Sequence, residues 1–165
     1  MVNAIIWAAI AIAIAVYVWY VLRERQQIAK HNMSFLEGLH LTGLPIVSFH
    51  YKGNIMNFVL DTGSNRCYVD KKSLEKVEAA YQEAEEEILT AGSPAKQFGF
   101  ATLQLEHKNQ TFDLNCTVLD MSETTAEIKS TFGVTIHGLI GTDFFEDYKY
   151  ILDFNEMVAY SLKKN

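Results

Sequence analysis

An unbroken apolar run limits what the first part of this chain can fold into. Residues 4–22 are 19 consecutive apolar residues, and the first charged side chain is Arg23. A helix of that length, rising ~1.5 Å per residue, spans roughly the ~30 Å hydrocarbon core of a bilayer. Trp7 and Trp19 lie near its two ends, where aromatic rings favour the membrane interface. The run predicts one transmembrane helix that anchors the chain through residues 1–22.

A cleaved signal peptide is the alternative interpretation of this run. It would need a basic start, a shorter apolar stretch and a cleavage site of small residues. Here the bulky residues 18–22 stand where cleavage would fall, so we favour a retained anchor. Basic residues follow the run and none precedes it: Arg23, Arg25 and Lys30. The positive-inside rule then predicts a single-pass protein whose remaining residues lie in the cytoplasm.

The charge and the cysteines exclude some classes of partner. The net charge of −6 belongs to the residues after the run, and no basic stripe interrupts them. Nucleic-acid binding is therefore not expected, and anionic lipid would not attract this part of the chain. Cys67 and Cys116 fit buried free thiols in a reducing compartment, with a disulfide between them as the alternative. The histidines lack the spacing of metal ligands, so we expect no metal site.

The residues after the anchor change from a polar segment to short strands. Residues 23–42 are read as a polar stalk, and residues 43–165 as one domain. Within that domain, residues 46–51 and 55–60 flank a glycine-containing turn, which predicts a β-hairpin. Asp70 is a suitable N-cap for a short helix that follows it. The pattern predicts an all-β domain with one or two short helices.

Three features of the domain occur in a recognisable order. The first is Leu60 followed by Asp61, Thr62, Gly63 and Ser64, at the end of the predicted hairpin. Alone, this string fits an ordinary strand-to-turn junction, because Asp and Gly favour turns. The second feature is a hairpin whose tip is small and flexible, formed by Thr90, Ala91, Gly92 and Ser93. The third is the apolar sequence Leu139-Ile140-Gly141 ahead of a possible short helix. The ordered set is more specific than any one of its members.

On these features, residues 43–162 resemble a retropepsin-type aspartic protease, the single-domain dimeric class related to retroviral proteases. The resemblance implies a closed β-barrel of the acid protease fold, preceded here by the transmembrane helix. It implies an active site that two chains share, each supplying one Asp61. One carboxylate would act as general base on a water, and its protonated partner would polarise the scissile carbonyl.

The resemblance also assigns expected roles around Asp61. Thr62 would hydrogen-bond across the two-fold axis, and Gly63 would allow a tight turn and the close approach of a peptide. We further expect Ser64 to donate a hydrogen bond to the Asp61 carboxylate and lower its pKa. Gly141 would give the catalytic loop room beneath it.

Two other segments bear on substrate binding in this reading. Residues Thr90 to Ser93 would form the flap over the substrate, although an ordinary surface hairpin has a similar sequence. Arg66 departs from the family pattern, and it could perturb the two carboxylates or pair with an acid at the dimer interface.

The sequence thus predicts a membrane-anchored homodimeric aspartic endopeptidase that needs no cofactor. It would cleave peptides or proteins, with a bias toward substrates close to the membrane. Anchoring two chains in one bilayer would raise their effective concentration and so favour the dimer. Two alternatives stay open at this point. One is a dimerisation or peptide-binding module with little turnover. The other is a self-processing membrane regulator that cleaves itself or one partner, for example within residues 23–42.

Overall fold

The structure, a computed structural model, describes residues 7, 10–19, 32–90 and 93–163. The chain divides into two compact units, residues 1–31 and residues 32–165. In the first unit, residues 10–19 are helical and exposed. Within the described residues, no helix has the length and apolar character needed to cross a membrane. Half of the predicted anchor (residues 1–6, 8, 9 and 20–22) and the first part of the predicted stalk (residues 23–31) lie outside the described residues.

The second unit is a closed β-barrel, as the sequence predicts. Six strands pair in the order β1-β2-β7-β3-β6-β5, and β5 pairs back with β1 to close the ring. Strand β4 extends β5 as a hairpin outside the ring, and β8 and β9 form a separate two-stranded sheet. The strands are β1 Ile46–Tyr51, β2 Asn54–Leu60, β3 Cys67–Asp70, β4 Gln82–Thr90, β5 Ser93–His107, β6 Gln110–Leu119, β7 Gly138–Ile140, β8 Tyr150–Asp153 and β9 Val158–Ser161.

Short helices connect or flank these strands. They are α1 Phe35–Thr42, α2 Lys71–Lys76, α3 Ser122–Phe132 and α4 Thr142–Tyr148. Asp70 caps α2 by accepting a hydrogen bond from the Ser73 backbone N–H, as predicted. The sequence predicts one or two helices in this domain, which is too few. Helix α1 was not predicted, because residues 35–42 lie in the segment predicted to be a polar stalk.

The first hairpin has the turn that its sequence favours. Lys52 and Gly53 both have positive φ angles, 47° and 79°. Two such residues are characteristic of a type I′ turn, whose twist matches the flanking strands. Asn54 pairs with Tyr51, so the turn contains two residues rather than the three predicted.

Aromatic side chains fill the barrel and fix α4 to it. Phe49 and Phe58 are fully buried, and their ring centroids are 5.9 Å apart. Phe144, from α4, contributes a ring 6.2 Å from that of Phe49. Burying one such side chain contributes about 1.5–3 kcal/mol. Because Phe144 immediately follows the segment beneath the catalytic loop, this packing holds that segment in place.

Helix α1 belongs to the folded domain rather than to a stalk. Ser34 and Glu37 form a capping box at its start, and Phe35 is buried. Gly38 packs directly on the first residue of β1, and a Cβ there would lie 2.8 Å from the Ile46 nitrogen. The compact unit therefore begins at residue 32, eleven residues before the boundary read from the sequence.

A buried polar network ties the start of this unit to the barrel. The Ser48 hydroxyl donates to Asn57 Oδ1 at 2.6 Å and accepts from the Met33 backbone N–H at 2.6 Å. Asn57 donates through Nδ2 to the Thr135 carbonyl at 2.9 Å. Its backbone N–H donates to His137 Nδ1, also at 2.9 Å. The network joins β1, β2 and the segment that leads into β7.

The His137 imidazole supports this network only while it is neutral. Its Nδ1 accepts the Asn57 N–H, and a proton on that nitrogen would remove the acceptor. Burial lowers the pKa of His137 below its ordinary value of 6.5. The unfolded chain therefore takes up this proton at a higher pH than the folded chain does. The stability that depends on neutral His137 is complete well above pH 6.5 and is lost as the pH falls below it.

We expect the free energy of unfolding to fall between about pH 7.5 and about pH 5, and to fall less steeply in His137→Asn. The Asn side-chain oxygen can accept the same Asn57 N–H, and it does not titrate in this range. Urea denaturation at several pH values measures both slopes. Burial also lowers the pKa of His107. Because His107 is present in both proteins, it contributes equally to both slopes, and the difference between them reports on His137. Parallel slopes would contradict the role of His137.

Candidate active site

The predicted catalytic loop joins two strands that share one neighbour. Asp61 follows β2, and the loop continues through residue 66 into β3. Strand β7 lies between them, parallel to β2 and antiparallel to β3. The Asp61 backbone N–H donates to the Ile140 carbonyl at 2.8 Å, and the Thr142 N–H donates to the Ser64 carbonyl at 2.8 Å. The segment from β7 into α4 therefore holds both halves of the loop.

The Asp61 side chain lies at the partly exposed end of β2. The backbone N–H of Gly63 donates to its Oδ1 at 2.9 Å, and this hydrogen bond helps to orient the carboxylate. Thr62 and Gly63 are exposed at the tip of the loop. The Asp-Thr-Gly-Ser string occurs once in the chain, so the motif supplies one carboxylate per protomer. Its loop tip is accessible to a second molecule.

Ser64 has a different role from the one predicted. Its hydroxyl donates to the Arg66 carbonyl at 2.7 Å. A hydroxyl carries one proton, so it does not also donate to the Asp61 carboxylate, and that prediction is wrong. The bond closes a short turn within the loop and helps to fix the backbone of Arg66.

Gly141 lies directly beneath this turn. A Cβ built at Gly141 would overlap the Arg66 carbonyl oxygen and lie 2.6 Å from its carbon and 2.9 Å from the Arg66 nitrogen. The φ angle of Gly141 is −94°, which any residue can adopt. Close approach, rather than an unusual backbone conformation, therefore requires glycine here.

Cys67 and Asp143 anchor the far end of the loop, a role that the sequence analysis missed. The Cys67 thiol donates to Asp143 Oδ1 at 3.0 Å and accepts the Gly141 N–H at 3.3 Å. The same carboxylate oxygen accepts the Phe144 N–H at 2.8 Å. Burial, with a smaller contribution from Asp143, raises the pKa of Cys67 well above its usual range. Cys67 and Asp143 are 76 residues apart in the sequence, and nothing in that spacing indicates that they interact.

Both cysteines are buried free thiols, as the sequence analysis favoured. Cys67 and Cys116 lie opposite each other on the parallel strands β3 and β6. Burial raises the pKa of Cys116 to about 12. The thiolate is the reactive form of cysteine, so both side chains serve packing rather than chemistry.

The predicted flap corresponds to the hairpin of β4 and β5. Thr90 and Ser93 pair at its end, and Ala91 and Gly92 lie outside the described residues. A register shift between Glu83 and Glu86 interrupts the β4–β5 pairing. The structure thus places a hairpin where the resemblance expects one, and its contact with substrate stays a prediction.

An open pocket of about 270 Å³ lies beside the catalytic loop. Side chains from the loop, β5, β6 and α4 line it, among them Arg66, Cys67, Phe100, Asn115 and Asp143. Across the described residues, no group of three or more His, Cys, Asp or Glu side chains is placed to hold a metal ion. Arg66 is the pocket's one cationic side chain and Asp143 its one acid.

Comparisons with known proteins agree with this geometry. Residues 47–144 match the protein family described as "Aspartyl protease", over more than half of the chain. That range contains the loop with Asp61 and ends within α4. No curated protein matches the sequence.

Solved structures share the fold at low sequence identity. The retroviral protease-like domain of Ddi1 from Leishmania major aligns with a TM-score of 0.54 and 10% identity, over 74% of this chain and 90% of that one. A retropepsin-like aspartic protease from Rickettsia conorii has a TM-score of 0.46 and 18% identity, over 67% and 77%. EIAV protease, in complex with the inhibitor HBY-793, has a TM-score of 0.45 and 15% identity, over 63% and 86%. The alignment with the Ddi1 domain shows that the barrel has a retroviral protease-like fold.

We expect Gly141→Ala to destabilise the protein by about 1–3 kcal/mol, because the new methyl group forces the Arg66 backbone away. Gly63→Ala is the matched control within the same loop, since the nearest atom to its added Cβ is Asp61 Oδ1 at 3.2 Å. Urea unfolding of both variants and the wild type gives the loss in the free energy of unfolding that each substitution causes. Equal losses would show that close packing at Gly141 is not what holds the loop.

Proposed function

This chain belongs to the aspartyl protease family, and we propose that it is a homodimeric aspartic endopeptidase whose active site contains one Asp61 from each protomer. One observation carries the proposal. The partly exposed Asp61 carboxylate lies next to the exposed loop tip of Thr62 and Gly63, while hydrogen bonds to β7 and α4 fix the backbone on both sides of it. A rigid loop that presents a single carboxylate suits a site completed by a second copy.

The chemistry proposed for this site follows from two carboxylates at close range. Two such groups cannot both ionise easily, so the pair holds one proton. The ionised Asp61 takes a proton from the attacking water, and the protonated Asp61 of the partner donates to the substrate carbonyl. The Gly63 N–H, which donates to Asp61 Oδ1, orients the carboxylate for this step. The pair titrates jointly, so neither pKa belongs to one protomer.

Substrate binding is proposed to use strand addition. An extended peptide would lie between the catalytic loops and the β4–β5 hairpins, with Thr90, Ala91, Gly92 and Ser93 at the hairpin tip. Backbone hydrogen bonds would supply affinity, and alternate side chains would enter pockets. Thr62, exposed at the loop tip, is proposed to contact the partner loop.

We expect the wild-type chain to cleave a mixed peptide library and Asp61→Asn to cleave none of it, because the amide cannot act as the general base. New termini are identified by mass spectrometry at acid and neutral pH. Asp113→Asn is the matched control, because it changes an exposed aspartate on β6 and should cleave like the wild type. Equal cleavage by Asp61→Asn would exclude the proposed reaction.

Mixing the two chains tests whether the site is shared. Exchange with an equal amount of Asp61→Asn places about half of the wild-type chains in mixed dimers. Those dimers lack one carboxylate, so total activity should fall by about half. Activity that does not change after exchange would show that each chain acts alone.

We also propose that the apolar run of residues 4–22 anchors the protein in a membrane, with the protease domain in the cytoplasm. The support comes from the sequence, in the length of the run and in the basic residues that follow it. Two anchored chains would meet at a high effective concentration, so a weak dimer interface would suffice. The natural substrates would then include proteins close to that membrane.

We expect the full chain to stay with liposomes through an alkaline carbonate wash, and its activity per chain to rise with the protein-to-lipid ratio. The rise follows from mass action, because higher surface density forms more dimers. A version that starts at residue 32, assayed at equal total concentration, is the control. Release by the wash would contradict the anchor, and activity independent of density would contradict its role in dimerisation.

A further inference from the structure

Arg66 is an exposed cation on the catalytic loop itself. It lies five residues after Asp61 and is the last residue before β3. Among the described residues, its guanidinium has no hydrogen-bond or ion-pair partner, although its backbone is tightly held. The Arg66 carbonyl accepts the Ser64 hydroxyl at 2.7 Å and packs against Gly141. An exposed arginine on a fixed backbone is available to bind an anion from outside the protomer.

The pocket beside Arg66 leaves that cation unneutralised. Asp143 is the one acid in the pocket wall, and its Oδ1 is turned toward Cys67 and the Phe144 N–H. The rest of the pocket lining is neutral and mixes polar with apolar groups: Thr102 donates a hydrogen bond to Asn115 at 2.8 Å, and Phe100 is apolar. A carboxylate entering the pocket would therefore meet one cation and neutral groups, with Asp143 as the opposing charge.

We propose that Arg66 makes the enzyme prefer peptides with an acidic side chain near the scissile bond. The inference rests on the function proposed above, and it adds the substrate class. The reach is limited by the chain itself, because five residues span at most about 18 Å. An extended peptide covers the same distance in about five residues. The acidic residue therefore lies within about five positions of the cleaved bond.

A charge-assisted hydrogen bond between arginine and carboxylate supplies the physical basis of this preference. Because Arg66 is exposed, solvent and salt weaken the interaction. The expected preference is therefore modest, about two- to fivefold in kcat/KM for Glu over Gln at the sensitive position. It should decline as salt is added.

Matched peptides provide the test. Each pair carries Glu or Gln at one position within five residues of a bond that the wild type cleaves. The wild type should favour Glu at one or more positions, Arg66→Lys should keep part of the preference, and Arg66→Gln should lose it. Arg66→Glu should favour Lys over Glu at the same position. Lys129→Gln is the control, because it removes one positive charge from α3, a helix with no buried residues, and should leave the preference unchanged.

Other outcomes separate this inference from the proposed function. Cleavage by the wild type with no Glu preference, or a preference that survives in Arg66→Gln, would overturn the inference and leave the protease intact. Weaker dimers in Arg66→Gln with an unchanged preference, measured by sedimentation, would instead make Arg66 an interface residue and overturn the inference. Absence of any cleavage by the wild type would overturn both proposals. Binding of labelled Glu and Gln peptides to Asp61→Asn measures the preference without turnover. Equal affinities for the two peptides would also contradict the proposed role of Arg66.

Discussion

The insertion of β7 between β2 and β3 is the constraint on which the candidate site depends. Strand β7 has three residues, yet it pairs with both strands that carry the catalytic loop. Glycines at both ends make this approach possible. A Cβ at Gly138 would lie 2.9 Å from the Phe58 ring, and one at Gly141 would overlap the Arg66 backbone. A larger residue at Gly141 would displace the Arg66 backbone, and one at Gly138 would displace Tyr68 of β3 or the Phe58 ring.

Rigidity of this kind is what the shared active site that we propose would require. Two carboxylates that hold one proton must keep a nearly fixed separation, because small displacements change both the proton sharing and the position of the water. Each protomer can control only its own half of that geometry. The bonds from β7 and α4 to the loop, together with the Cys67–Asp143 contact, provide this control within one chain.

Local patterns predicted the parts of this protein that depend on neighbours in sequence. The hairpin around Gly53 and the helix capped by Asp70 follow from turn and capping preferences, and the barrel followed from the ordered motifs that resemble retropepsins. The failures involve partners that sequence spacing does not reveal. The Ser64 hydroxyl has several possible acceptors in a tight loop, and only the folded backbone selects the Arg66 carbonyl. Helix α1 was missed because the polar residues before it led the whole of residues 23–42 to be interpreted as a stalk, and its packing on β1 has no signal in local spacing.

Charge adds a final constraint on substrate choice. The chain carries a net charge of −6, so its long-range field disfavours the approach of acidic peptides. At physiological salt this field is largely screened beyond about 8 Å. A direct contact between a carboxylate and an exposed arginine is weakened by salt but acts at shorter range. A single cation on the loop that carries Asp61 would therefore favour an acidic side chain against the net charge of the chain. Arg66 lies five residues after Asp61, and the backbone contacts with Ser64 and Gly141 fix the point from which its side chain extends.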